Sequence, residues 1–161
     1  MALFTGDFDT QINAKRRLAI CSALRESLDP EDGTRWYAVI GKNRKLWLYP
    51  EGLYRKLAMS FKQTLLPTKE LDGVRRLFAM TTMMNPDAQG RVILNEKSMR
   101  RTGLTTGQDV TLVGMQDHIE IWSTSEWQAD EDAFVLDYPD VMEQAGEAEA
   151  KADASKGVCD G

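Results

Sequence analysis

Histidine occurs once in this sequence, as His118, and cysteine twice, as Cys21 and Cys159. Two cysteines so far apart make no disulfide framework, which points to a reducing cytoplasm. Neither has an activating neighbour in sequence, and no metal-capable residues show ligand spacing beyond ordinary Asp and Glu pairs. A Walker loop and a G-x-G-x-x-G motif are both missing. No apolar run approaches the roughly 18 residues of a membrane-spanning helix. The opening residues, Met1 to Asp9, lack the basic and apolar regions of a secretory signal. His118, in a hairpin beside Asp117, reads as a solvated loop side chain more readily than as a catalytic base. Asp7 and Asp9, flanked by Phe4 and Phe8, read as outward acids on an edge strand rather than as a catalytic pair. The chain is therefore read as a non-enzyme with no cofactor, no metal and no small-molecule substrate.

What is present is ordinary in amount and uneven in place. With 161 residues, 42 % of them apolar, the chain can bury one modest core or two small ones. Its net charge of −5 conceals a split. From Glu126 onward eleven acids face two lysines, while the first 125 residues hold 18 Lys and Arg against 14 acids. A mildly basic body thus carries an acidic tail, and a basic body admits an anionic partner. Residues 143–161 are Ala-rich and acidic without large apolar groups, and are expected to be mobile or weakly helical. Phe134, Val135, Leu136, Tyr138, Val141 and Met142, just before them, could dock on the body or on a neighbour.

The body repeats itself. Asn13-Ala14-Lys15-Arg16-Arg17-Leu18-Ala19-Ile20 returns further along as Asp87-Ala88-Gln89-Gly90-Arg91-Val92-Ile93-Leu94. Val39-Ile40-Gly41 and Leu46-Trp47-Leu48-Tyr49 return, at almost the same offset, as Leu112-Val113-Gly114 and Ile119-Glu120-Ile121-Trp122. Two matched blocks in one order imply a tandem duplication, with divisions expected at 1–66, 67–130 and an acidic tail at 131–161. In each copy polar turn residues precede a short strand, Leu18–Ile20 or Val92–Leu94. A short helix then follows at Ser22–Leu28 or Glu96–Thr102, with Gly103 as a left-handed cap. Hairpins come next, Tyr37–Ile40 with Leu46–Tyr49, and Val110–Gly114 with His118–Trp122. Pro50 suits a first helical position ahead of Leu53, Leu57, Phe61 and Leu65, which repeat along one face. Ser123 and Glu126 have capping-box spacing, and Thr68 can cap a helix lined by Leu71, Val74, Leu77 and Phe78. The class is α+β.

The densest positive cluster is Lys15-Arg16-Arg17, in a turn just before a strand. It reads equally as a charged solvent turn or as a nucleic-acid contact, where Arg offers a planar fork to guanine and Lys neutralises phosphate. Arg91, its counterpart, could equally pair with Asp87 four residues earlier.

At these residues the sequence resembles the MraZ family of bacterial transcriptional regulators, built from two SpoVT/AbrB-like swapped-hairpin halves. The match runs through Phe4-Thr5-Gly6, Asn13 to Arg17, Leu46 to Pro50, Asp87 to Leu94, Gly103 to Gly114 and Glu120-Ile121-Trp122, covering about residues 3–130. The resemblance implies tandem pseudo-twofold β-barrel halves with short helices. It also implies a cytoplasmic, nucleoid-associated protein that forms a homo-oligomeric ring. Such a protein binds double-stranded DNA at short G-containing direct repeats, tandem operator boxes upstream of the division and cell-wall gene cluster. By the D-x-x-x-R motif it makes Arg17 and Arg91 DNA contacts. The candidate DNA-binding set is Asn13, Lys15, Arg16 and Arg17 with Asp87, Gln89 and Arg91. The first copy departs from the family pattern: Asn13 replaces Asp, Arg16 replaces Gly and Cys21 replaces Pro. If that place needs a positive φ, an arginine there costs on the order of 1 kcal/mol; alternatively the turn is remodelled and Arg16 adds a contact. The competing expectation is a ring-forming structural or protein-interaction scaffold without specific DNA binding.

Overall fold

The computed structural model describes residues 1–61 and 69–159, which fall into two units that divide after Thr124. The first unit is α+β with an antiparallel sheet. Its strands are β1 (Asp7–Gln11), β2 (Arg17–Ala19), β3 (Trp36–Ile40), β4 (Leu46–Pro50), β5 (Thr82–Met84), β6 (Arg91–Ile93), β7 (Asp109–Gly114) and β8 (Ile119–Ser123). Between them lie helices α1 (Ser22–Arg25), α2 (Glu51–Met59), α3 (Lys69–Ala79) and α4 (Glu96–Thr102). In β4, Leu46, Leu48 and Pro50 face inward while Trp47 and Tyr49 stay half-covered, the period-2 signature of a strand with one core face.

Six strands form one sheet in the order β1-β7-β8-β4-β3-β5. Strands made equivalent by the sequence repeat stand at mirror places in this order, β7 with β3 and β8 with β4, and the strands that precede the two matched turns, β1 and β5, stand at its two ends. Both expected hairpins form, and they pair with each other through β4 and β8. Strands from the two repeat copies are therefore interleaved in one sheet. The remaining two strands, β2 and β6, pair antiparallel as a separate ribbon, with Leu18 opposite Val92. Both side chains are 0 % exposed and join Ile20, Leu94, Leu48 and Ile121 in one core.

Local signals explain most boundaries. Gly103 ends α4 at φ 72°, as expected of a left-handed cap. Asn95 opens the same helix by accepting the amides of Lys97 and Ser98. Helix α1 is only four residues long, shorter than the expected 22–28. Pro50 ends β4 opposite Trp36, so α2 begins one residue later than expected. Along α2, Leu53 is half-buried while Leu57 and Phe61 are 40 % and 48 % exposed. Tyr54 makes the contact to the sheet, stacking on Tyr37 at 4.5 Å. Leu65 and Thr68, assigned above to a helix face and a cap, lie outside the described residues. Asp7 and Asp9 are exposed on edge strand β1, as expected, where outward charge discourages edge-to-edge pairing.

His118 departs from its expected place. Its ring is 8 % exposed, stacked on Trp47 at 4.1 Å, with Nδ1 2.6 Å from Asp117 and Nε2 2.8 Å from Glu120. Glu120, 4 % exposed, also accepts from Asn43 and Trp122. Neutral imidazole donates through one nitrogen only, so two facing carboxylates favour the imidazolium. Burial alone would lower the His118 pKa, but the hydrogen bonds and charges of Glu120 and Asp117 outweigh it and raise it above 6.5.

Helices α5 (Thr124–Leu136) and α6 (Tyr138–Cys159) follow, and α6 takes in residues 143–159 of the stretch expected to be mobile or weakly helical. Phe134, Val135, Leu136, Tyr138 and Met142 are exposed there, with the Phe134 and Tyr138 rings 6.2 Å apart.

Two outcomes follow from this packing. A group whose folded pKa is raised stabilises below its unfolded value and loses that contribution as pH climbs through the folded value. Thermal melts from pH 6 to 9 should therefore show wild type losing stability on the alkaline side of 6.5, with the loss flattened in His118→Gln; parallel curves would contradict this. Leu18→Ala should cost about 2–5 kcal/mol in urea denaturation, as a cavity in the shared core does. A cost no larger than a surface change, about 0.5 kcal/mol, would detach the ribbon from that core.

Candidate nucleic-acid interface

Each repeat copy enters its ribbon strand through the same turn. In the first, the side-chain oxygen of Asn13 accepts the amides of Lys15 and Arg17 at 2.9 and 2.8 Å. In the second, Asp87 Oδ1 accepts the amides of Gln89 and Arg91, both at 2.9 Å. Main-chain bonds close both loops: the amides of Asn13 and Asp87 donate to the carbonyls of Arg17 and Arg91, at 3.0 and 2.9 Å. The fourth residue of each is left-handed, Arg16 at φ 63° and Gly90 at φ 77°. Glycine adopts that region freely and arginine does so at a cost. The replaced residue in the first turn thus keeps the backbone of the second.

Ribbon register brings together two turns that lie far apart in sequence. Arg17 pairs with Ile93 and Ala19 with Arg91, on either side of the buried Leu18–Val92 pair. Because side chains alternate along a strand, Arg17, Ala19, Arg91 and Ile93 share the outward face. The two arginines sit diagonally, one strand apart and two residues along, with about 8 Å between their Cα atoms. Lys15, Gln89 and Asp87 are exposed in the turns; Asn13, Arg16, Arg17 and Arg91 are half-buried.

Their electrostatic states differ. Arg91 Nε donates to Asp87 Oδ2 at 2.8 Å, the pairing the sequence left open. The amide of Arg91, helped by its guanidinium and the Gln89 amide, holds Asp87 below the usual carboxylate range despite desolvation. In the first turn Asn13 satisfies the same two amides without charge. Among the described residues, the guanidinium of Arg17 and the ammonium of Lys15 have no acidic partner. The first turn is an open cationic site, and the second is internally neutralised.

Sequence reading brought out all seven of these residues and missed two neighbours. Ala19 and Ile93 complete the outward face, Ile93 conspicuously exposed. A three-residue strand is too short to display its alternation in sequence. Helix α4, directly after the ribbon, adds exposed Lys97, Arg100 and Arg101. Among the described residues no cluster of His, Cys, Asp and Glu is placed to hold a metal ion, and no helix is long and apolar enough to cross a membrane.

Comparison with known proteins bears on this arrangement. A family described as "MraZ protein, putative antitoxin-like" matches residues 77–135. Among relatives, the Transcriptional regulator MraZ of Herpetosiphon aurantiacus is 32% identical over 88% of this chain and 95% of its own. That of Dehalococcoides mccartyi is 31% identical over 81% and 89%, and that of Clostridium tetani 28% over 90% and 98%. The duplicated turns, the hairpins and a similarity that runs along most of both chains agree: this chain belongs to the MraZ family.

Proposed function

We propose that this chain is a sequence-specific transcriptional regulator that reads double-stranded DNA with the outward face of the β2–β6 ribbon and its two turns. The observation that carries this reading is Arg17: a cation without an acidic partner among the described residues, on a two-stranded ribbon, diagonal to Arg91. A two-stranded ribbon fits the major groove, where a guanidinium meets guanine O6 and N7 in bidentate fashion. Arg17 and Arg91 take the base edges and Lys15 a phosphate. Arg16 completes the cationic run, Asn13 and Asp87 hold the turns, and Gln89 lies beside the second. The targets are short G-containing direct repeats upstream of the division and cell-wall genes, and the site of action is the nucleoid.

The mirrored strand order supports tandem swapped-hairpin halves closing a barrel, with sequence divisions at 1–66, 67–130 and 131–161. Exposed Leu57, Met59 and Leu77 supply apolar surface for contact between copies in a homo-oligomeric ring. Repeated subunits facing repeated boxes add affinity through effective concentration, so each contact can be weak. The same apolar surface supports a scaffold without specific DNA binding. A gel shift on the upstream DNA separates the two, since a scaffold gives no competition-resistant complex.

Arg17→Ala should weaken binding to that DNA about ten- to a hundredfold with an unchanged melting temperature, the worth of one bidentate contact. Asp87→Asn should tighten it a few fold, because it frees Arg91 and removes an anion facing phosphate while keeping the acceptor that Asn13 provides. Fluorescence anisotropy titration measures both. Wild-type affinity in Arg17→Ala, or weaker binding in Asp87→Asn, would contradict the reading.

A further inference from the structure

We propose that Arg16 is a positioning residue of the first turn, its guanidinium doing there what Arg25 of α1 does in the second. The proposal rests on the turns being the DNA surface. In the second turn Gly90 is buried and left-handed, and a Cβ added to it would overlap the Arg25 side chain. Arg25 lies in that space and donates Nε to the carbonyl of Ile20 at 2.8 Å. In the register of the repeat, Ile20 corresponds to Leu94, Arg25 to Met99, and Gly90 to Arg16. Met99 is buried and has no donor. Arg16 supplies it instead, with Nη1 3.1 Å from the carbonyl of Leu94.

Equivalent carbonyls in the two copies are thus capped by a guanidinium, drawn from the helix in one and from the turn in the other. The exchange is coupled. Glycine at 16, with Met99 standing where the other copy has Arg25, leaves the Leu94 carbonyl without its charged donor, and arginine at 90 collides with Arg25. This explains why a non-glycine residue persists at φ 63°: a charge-assisted hydrogen bond offsets the backbone cost. It also turns the Arg16 head group back toward the protein, where Glu96 Oε1 lies 3.9 Å from Nε. The ribbon end is therefore fixed by Arg16, while contact with phosphate and base falls to Lys15 and Arg17.

The test compares full-length Arg16→Gly, Arg16→Gly/Met99→Arg and Arg17→Ala in anisotropy titrations on the upstream DNA across a KCl series, with melts of each. Arg16→Gly should weaken binding about fivefold, the scale of one typical intramolecular hydrogen bond, and keep the wild-type slope of log affinity against log salt. Adding Met99→Arg should restore affinity. A slope reduced by about 0.9 in Arg16→Gly, without rescue, would make Arg16 a phosphate contact and overturn the proposal. Undiminished affinity in Arg16→Gly would overturn it too. Arg17→Ala separates the two levels: if its affinity and slope are also wild type, the DNA reading itself has failed. Should the double variant not fold, the mirror exchange decides. Gly90→Arg should lower the melting temperature and Gly90→Arg/Arg25→Met should recover it; no recovery overturns the proposal.

Discussion

The pairing of three residues with three others, Arg17–Ala19 against Arg91–Ile93, is the constraint on which the arrangement of the site depends. Neither strand could stand alone, since a two-stranded ribbon is marginal in water. What holds it is the inward pair Leu18 and Val92, sealed into the same core as the inner residues of β4 and β8. Because that pair is buried, register is fixed, for a slip of one residue would turn both side chains outward. With register fixed, the arginines that follow the turns have one possible relation. Hydrophobic burial on one side of the ribbon thus sets cation geometry on the other.

Duplication then allows the two copies to diverge in charge while keeping one backbone. Asn13 and Asp87 accept the same pair of amides at nearly the same distances, so the turn does not require a carboxylate. The carboxylate adds a partner for Arg91 and removes the net charge of its turn. Glycine and arginine exchange in the same manner at the left-handed position, with compensation from Arg25 or from Arg16 itself. A single chain therefore presents one open and one self-neutralised cationic turn, in a body that is mildly basic ahead of an acidic tail.

Much of this was legible in sequence because it is local or repeated. The matched blocks located both hairpins and both turns, and Gly103 marked the left-handed end of α4. The open choice for Arg91 contained its actual partner. What escaped was set by tertiary contact. Nothing around His118 in sequence says that Trp47, from the other repeat copy, covers its ring, or that Asn43 meets Glu120. The pairing of strands across copies is equally silent, because each hairpin alone satisfies its local pattern. The inward aim of Arg16 depends on the Leu94 carbonyl, which only the ribbon brings near.

Hydrogen–deuterium exchange of the full chain, with and without a duplex carrying its upstream sequence, tests the shared surface most directly. The account predicts that residues 13–19 and 87–93 gain protection together, while edge strand β1 and the α6 helix exchange as in the free protein. Protection confined to one turn, or appearing only in the helices, would contradict it.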